Sequence, residues 1–182
     1  GSTNYYGGGI YCVMSNPSLT NLKLTNNSIT GSDGDWETVY SGNSYGGGIY
    51  FSESNTALEE VIIHGNESIG GGECMCSSSG NGGGIYCTDS YIAFTNITFT
   101  NNMVRDGSNY SGSSAKGGAI YSSNSTMTMS NVEFRYNEAN GVNSVGDNAG
   151  SPNGGAIYMT NSIVTIIEGL FDGNSVTGSN SS

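Results

Sequence analysis

The chain has 182 residues, 30 of them glycine, and its 4 basic and 15 acidic residues give a formal net charge of −11. So few lysines and arginines argue against a nucleic-acid-binding protein and against docking on an anionic membrane, because both partners attract basic side chains. No apolar run approaches the ~20 residues of a membrane-spanning helix. The length suits one domain, so residues 1–182 are predicted to form a single domain that does not span a membrane.

The first recurring element is a five-residue word built around an isoleucine. It reads Gly-Gly-Gly-Ile-Tyr at 7–11, 46–50 and 82–86, and Gly-Gly-Ala-Ile-Tyr at 117–121 and 154–158. Repeat units therefore start near residues 7, 46, 82, 117 and 154. The isoleucines are separated by 39, 36, 35 and 37 residues. A period of this length is typical of repeat architectures.

Each word is followed by apolar residues at strand-like spacing. In the first unit, Ile10 and Cys12 are followed by Leu19 and then by Leu22 and Leu24. Spacing by two residues places side chains on one face of a strand. The odd step from Leu19 to Leu22 predicts a turn, and Asn21, Asn96 and Asn131 occupy that position in three units. We therefore predict three short strands in each unit.

Two polar residues keep a constant distance from the isoleucine in all five units. Serine lies five residues after it, at Ser15, Ser54, Ser90, Ser125 and Ser162. Asparagine lies seventeen residues after it, at Asn27, Asn66, Asn102, Asn137 and Asn174. Equivalent residues of stacked strands lie ~4.8 Å apart, so each column is predicted to form a ladder of side-chain hydrogen bonds between coils.

These patterns predict an all-β fold, a parallel β-solenoid of five coils of about 36 residues. Each coil has three short strands and one variable loop, since the gaps between units hold 18, 15, 14 and 16 residues rich in Ser, Gly and Asn. One coil cannot bury its apolar face alone, but stacked coils share a continuous core.

The words Gly-Gly-Ala-Ile and Phe-x-x-Asn resemble the repeats of the chlamydial polymorphic membrane proteins and related surface proteins. The resemblance covers essentially the whole chain. Phe-x-x-Asn is strict at 99–102, 134–137 and 171–174, while Leu24 and Ile63 replace Phe in the first two units. The resemblance implies a right-handed parallel β-helix on a cell surface, often adhesive, and it does not imply catalysis.

The residue after each isoleucine is always tyrosine, and this column is the strongest candidate binding surface. Its members are Tyr11, Tyr50, Tyr86, Tyr121 and Tyr158. If Ile points inward, Tyr points outward, where stacked aromatic rings suit sugars or a neighbouring protein. The alternative is that loops cover the rings, or that the rings simply stabilise the sheet by cross-strand stacking.

Acidic residues suggest a calcium site more than a catalytic one. Asp33, Asp35 and Glu37 alternate in the longest loop, a spacing that can bring oxygens together on a hard cation; the alternative is a solvated acidic loop. Glu53 and Asp89 also stack in neighbouring coils, as a weaker candidate. The four basic residues do not converge, and His64 is expected to be a surface ladder residue. We therefore predict no enzyme activity and no cofactor other than Ca²⁺.

The cysteines and sequons leave alternatives open. Cys12 and Cys87 occupy equivalent positions two coils apart, ~9.6 Å, which exceeds the reach of a disulfide, so both are expected to be buried thiols. Cys74 and Cys76 share one loop, and a disulfide from that loop to Cys87 would require the Cys87 side chain to turn outward. The redox state of the four cysteines stays open. Among the sequons, Asn109 lies in a loop and is the best candidate for glycosylation.

The predicted function is that of a non-catalytic extracellular or cell-surface β-helix, a structural or adhesive rod. The residues before Gly7 and after Asn174 together match the length of an internal loop. We therefore expect a segment of a longer solenoid or a unit that associates end to end into a filament. The other expected partners are glycans and proteins of a host or cell surface. The alternative is a carbohydrate-binding or polysaccharide-processing β-helix.

Overall fold

Chain segments of similar shape stack in parallel throughout the computed structural model, which describes residues 3–34, 41–72, 77–107, 113–141 and 151–178. All paired strands run parallel, and equivalent positions of successive units pair in register, as in Ile10 with Ile49 and Ile49 with Ile85. Four complete turns separate the first unit from the fifth. The structure thereby confirms the all-β parallel solenoid of five coils.

The tyrosine sheet contains the Ile-Tyr word of all five units. Its strands, in spatial order, are Ile157–Thr160, Ile120–Ser123, Ile85–Thr88, Ile49–Ser52 and Ile10–Val13. The long sheet follows the first corner of each coil. Its strands are Ser18–Thr20, Lys23–Thr25, Asn55–Glu59, Ile62–His64, Tyr91–Thr100, Thr126–Arg135 and Ile163–Asp172. These two sheets contain the three predicted strands, the second and third of which join into one long strand in the last three coils.

Two additional sheets lie where the sequence shows no clear alternation. The return sheet contains Ser28–Thr30, Glu67–Ile69, Met103–Arg105, Glu138–Asn140 and Ser175–Thr177. The entry sheet contains Tyr5–Tyr6, Ser44–Tyr45, Gly80–Asn81 and Ala115–Lys116, and Asn153 adds an isolated bridge to Lys116. Both ends of the predicted variable loop are therefore regular strand: the return strand follows the ladder asparagine, and the entry strand precedes the next repeat word.

Each coil turns at residues with left-handed backbone conformation. The predicted turn is present at Asn21, Asn96 and Asn131, which have φ of 53°, 55° and 52°. Asparagine tolerates this conformation better than most residues. The same position holds Glu60 and Glu168 in the other two coils, so the geometry is set by coil stacking and not by asparagine alone.

The glycines of the repeat word serve different purposes at successive positions. The first has a positive φ, between 62° at Gly7 and 74° at Gly46. A Cβ on the second would clash with the backbone of the next coil; at Gly83 it would meet the carbonyl oxygen of Gly118. The third is less restricted, because alanine occupies it in the last two units. The change from Gly-Gly-Gly to Gly-Gly-Ala therefore falls at the one tolerant position.

The core consists of inward columns that run through the whole stack. Ile49, Ile85 and Ile120 have no exposed surface, and neither do the larger Phe99 and Phe134. The rings of Phe99 and Phe134 are parallel, with centroids 4.7 Å apart. A second, smaller core of Val104, Ala115 and Ala139 lies between the return and entry sheets. No helix long and apolar enough to cross a membrane occurs within the described segments.

Candidate functional site

The asparagine column forms a continuous ladder through the five coils. At its centre, Asn102 donates from Nδ2 to Oδ1 of Asn137 over 2.9 Å and to the carbonyl of Ile63 over 2.8 Å. Its own Oδ1 accepts from the backbone N–H of Asn66 over 3.1 Å and from Nδ2 of Asn66 over 3.0 Å. Asn102 is fully buried, so all four hydrogen-bonding positions of its amide are satisfied within the protein.

The same bonds repeat at the other steps, with Nδ2 to Oδ1 distances of 2.8 Å from Asn27 to Asn66 and from Asn137 to Asn174. In each side-chain pair the amide of the earlier coil donates to the amide oxygen of the later coil, so the ladder has a direction. Asn66, which is also a sequon residue, is fully buried and uses both of its Nδ2 hydrogens. A glycan on Asn66 would therefore disrupt the ladder.

The serine column also forms a ladder, but each hydroxyl bridges backbone groups. Ser90 Oγ accepts from the backbone N–H of Ser54 over 3.1 Å and donates to the carbonyl of Thr88 in its own coil over 2.7 Å. Ser125 repeats both contacts, with the N–H of Ser90 and the carbonyl of Ser123. The hydroxyl thus closes the first corner of each coil and links that coil to the one before it.

The five predicted tyrosines stack as a third ladder on the outside of the tyrosine sheet. Centroids of successive rings from Tyr11 to Tyr158 lie 5.2, 5.3, 4.7 and 5.2 Å apart. The planes of Tyr50 and Tyr86 differ by 2°. Because each inner ring has neighbours on both faces, ring edges and hydroxyls form the outer boundary of the ladder.

Sequence reasoning missed a second column that covers the tyrosine ladder. Tyr6 and Tyr45 of the entry sheet stack on each other at 5.1 Å and meet Tyr50 and Tyr86 edge-on at 4.9 and 5.0 Å. Further along, Nζ of Lys116 lies 5.5 Å from the ring centre of Tyr158. The sequence did contain a signal for this column, because Tyr6, Tyr45 and Lys116 each lie directly before the first glycine of a repeat word.

This cover reduces the exposure of the inner ladder tyrosines. Tyr50 is only 9% exposed, whereas Tyr11 at the first coil is 59% exposed. Burial raises the pKa of the Tyr86 hydroxyl well above its usual value, with a further contribution from the neighbouring Tyr121 and Tyr45. Burial also raises the pKa of Tyr45, Tyr50 and Tyr121. The ladder therefore strongly prefers its neutral, stacked form.

Asp33 and Asp89, two of the candidate calcium ligands, accept hydrogen bonds from groups of the protein. Asp33 Oδ1 accepts from the backbone N–H of Gly72 over 2.8 Å, while Asp35 and Glu37 lie outside the described residues. Among the residues that the structure describes, no three His, Cys, Asp or Glu side chains are close enough to share a metal ion. Asp89 accepts from the hydroxyl of Thr88. Calcium binding by the 33–37 loop stays a prediction.

The charged and histidine side chains of the outer faces form local pairs. Arg135 contacts Asp172 at 3.2 Å and Glu133 at 3.1 Å. Arg105 contacts Glu67 at 3.1 Å. His64 Nδ1 bonds with the hydroxyl of Thr100 at 2.8 Å, as expected of a ladder residue. Exposed pairs of this kind contribute little to stability.

Cys12 and Cys87 are both free thiols, as predicted. Cys87 has no exposed surface, and burial raises the pKa of its thiol to about 11. Cys12 is only partly buried. Cys74, Cys76 and the sequon residue Asn109 lie outside the described residues.

Comparison with known proteins gives one match. Residues 96–123 match the family model described as the Chlamydia polymorphic membrane protein repeat. This segment runs from the turn before Phe99 to the end of the fourth tyrosine-sheet strand, and the match confirms the resemblance seen in the repeat words. No curated protein and no solved structure matches the chain. A β-solenoid that carries this repeat fits a surface-exposed structural protein.

Proposed function

We propose that this chain is a structural and adhesive rod of an extracellular or cell-surface protein, and that it works without catalysis. The observation that best supports the proposal is the asparagine ladder, which links all five coils and whose amides are fully buried in the three inner ones. Such a ladder makes each coil a rigid spacer of ~4.8 Å and leaves the loops free to vary. Surface association is further supported by the repeat match at residues 96–123.

The chemistry of the described side chains supports a role without catalysis. General acid–base catalysis requires a titratable group within reach of a bound substrate. Here the carboxylates of Glu67, Glu133 and Asp172 pair with arginines. The clefts on the long sheet are lined by Asn55 and by Ala, Thr, Ser, Met, Ile and aromatic side chains, none of them a titratable acid or base near neutral pH.

The rod is further proposed to extend by end-to-end association of copies. At Asn27 the ladder presents an Oδ1 acceptor that no described residue fills. At Asn174 it presents the second Nδ2 hydrogen and the backbone N–H, for which the described coils offer no acceptor. The fifth coil of one copy and the first coil of the next are therefore complementary in hydrogen bonding. The two coils also match in fold, and Phe171 is 48% exposed at the fifth coil.

A pair of substitutions at Asn27 tests this association. Asn27→Asp and Asn27→Leu both lose the Nδ2 bond to Asn66, but only leucine also removes the acceptor for the next copy. We expect the purified chain and Asn27→Asp to form rods that lengthen with protein concentration in electron micrographs, and Asn27→Leu to form shorter ones. Short particles of uniform length for all three proteins would overturn the end-to-end proposal.

A further inference from the structure

The first half of the outer face of the long sheet has no charged residue in the last three coils. Its positions form three rows in register: Tyr91, Thr126 and Ile163; Ala93, Thr128 and Thr165; and Thr95, Ser130 and Ile167. We call these nine residues the neutral face. In a chain with a formal net charge of −11, nine neighbouring outward positions without a carboxylate are a distinct surface. Charge depletion and exposed aromatic side chains are typical of the centre of a protein interface.

The neutral face carries both a protruding ring and the clefts that would receive one. Tyr91 belongs to the third coil, so its exposure of 65% does not depend on either end of the stack. Beside it lies a cleft of about 210 Å³ that extends from Asn55 to Thr128. A second cleft of about 160 Å³ lies between Thr95 and Ile167. The two clefts share Ala93 and Thr128, whose small side chains line the surface between them.

The size of the second cleft fits an aromatic side chain. A protein cavity of about 150 Å³ is known to accept benzene, and the 160 Å³ cleft is open on one side, so a ring carried by another molecule can enter it. A face that offers both a ring and a ring-sized cleft is complementary to itself. That is the requirement for an isologous contact, in which each copy supplies the same residues.

We propose that the neutral face binds the neutral face of a second copy of this chain, with Tyr91 of each copy in the cleft between Thr95 and Ile167 of the other. The charge distribution favours this partner. Asp89 and Glu59 lie at the margin of the face, and two acidic copies can approach closely only where carboxylates do not oppose each other. The footprint, three strands by five residues, is roughly 250 Å² per copy. It is well below the ~800 Å² of a stable interface, so the contact is weak and side by side.

Sedimentation equilibrium of the purified chain tests the proposal. Besides the proposed end-to-end growth, we expect lateral pairing of copies that occurs at high protein concentration and strengthens with added salt, because salt screens the repulsion between two acidic copies. Tyr91→Ala should weaken dimerisation at least tenfold. Thr128→Asp should do the same, because it places a carboxylate where the two clefts adjoin. The matched controls are Tyr136→Ala and Thr30→Asp, which change the same residue types at exposed positions elsewhere and should dimerise like the unchanged chain.

The possible results separate this proposal from end-to-end association. X-ray scattering in solution should show a thicker cross-section for the unchanged chain than for Tyr91→Ala at the same length. Rods that lengthen without thickening in both proteins would overturn the lateral contact and leave the end-to-end proposal intact. A chain that stays monomeric at every concentration would also overturn the lateral contact. Loss of binding to another protein or a glycan in Tyr91→Ala, with no dimer of the unchanged chain, would assign the face to a foreign partner and also overturn it.

Discussion

The buried asparagines show how one residue type can specify a stack of coils. An asparagine amide has two donor hydrogens and an acceptor oxygen with two lone pairs. In Asn66, Asn102 and Asn137 all four positions are satisfied by the coils before and after. Because a buried polar group without a partner is costly, this arrangement favours in-register stacking over any other pairing. The constant asparagine spacing made this predictable from the sequence.

Replacing Asn102 with alanine should destabilise the protein by ~1–3 kcal/mol, because Asn66 and the carbonyl of Ile63 lose buried partners. Asn27→Ala is the matched comparison. Because Asn27 is only half-buried and its removal leaves fewer hydrogen-bonding groups without a partner, Asn27→Ala should cost less stability. Urea denaturation of both variants measures the difference. Equal midpoints for Asn102→Ala and the unchanged chain would contradict the ladder account.

The second and third glycines of the repeat word should respond very differently to one methyl group. In Gly83→Ala the new Cβ clashes with backbone oxygens of Gly118 and Met103. We expect Gly83→Ala to cost several kcal/mol or to prevent folding, since backbone cannot move away as a side chain can. In Gly84→Ala the atom nearest to the new Cβ is the Ala119 oxygen at 2.8 Å. Alanine already occupies the same position of the repeat word in the two later coils, as Ala119 and Ala156. Gly84→Ala should therefore fold, and thermal unfolding that shows equal losses for both variants would refute this distinction.

At the level of strands and ladders, the sequence predicted what repeats with clear periodicity and missed what does not. Alternating apolar residues indicated the tyrosine and long sheets. The entry sheet was missed because its strands have two residues each, such as Gly80–Asn81 and Ala115–Lys116, too short for any alternation to appear. For the same reason, the sequence predicted the tyrosine ladder but not the rings of Tyr6 and Tyr45 that cover it.

The covered tyrosine ladder should make the fold sensitive to alkali. A tyrosine whose pKa is raised by folding contributes stability that is complete below its unfolded value of about 10 and is lost as the pH rises towards the folded value. Tyr45, Tyr50, Tyr86 and Tyr121 all have raised pKa values. The free energy of unfolding, measured by urea denaturation, should therefore fall steeply above about pH 10.

Tyr86→Phe separates the hydroxyl from the ring in this pH dependence. The phenylalanine keeps the stack with Tyr50 and Tyr121 but cannot ionise, so its stability should fall less between about pH 10 and pH 11. Cys87, whose thiol pKa is raised to about 11, contributes to the alkaline loss in both proteins and so cancels in the comparison. Identical pH profiles for the unchanged chain and Tyr86→Phe would show that burial does not raise the pKa of Tyr86, contrary to the structure.

In the whole molecule, the hydrogen-bonding direction and the charge distribution support the two proposed modes of association. The asparagine ladder donates in one direction along the axis, which suits head-to-tail growth. The neutral face lies on the side of the stack, where a net charge of −11 otherwise keeps copies apart. A rod that grows lengthwise and associates weakly sideways is suited to a layer or bundle at a cell surface.

The loops set the boundary of what the sequence could predict about function. Their composition identified them as surface segments, and Asp33 shows how one loop is tied to the next through the N–H of Gly72. Ligand choice depends on side-chain positions in these segments, and their Ser, Gly and Asn residues follow no period from which positions could be derived. The framework is therefore predictable from residue spacing, whereas the identity of any binding partner is not.

Immunogold electron microscopy of intact cells of its source would show whether this chain forms a rod at the cell surface. Antibodies raised against the purified chain should label thin rods or a fibrous layer outside the cell envelope, without permeabilisation. Labelling confined to the cell interior, visible only after permeabilisation, would contradict the account.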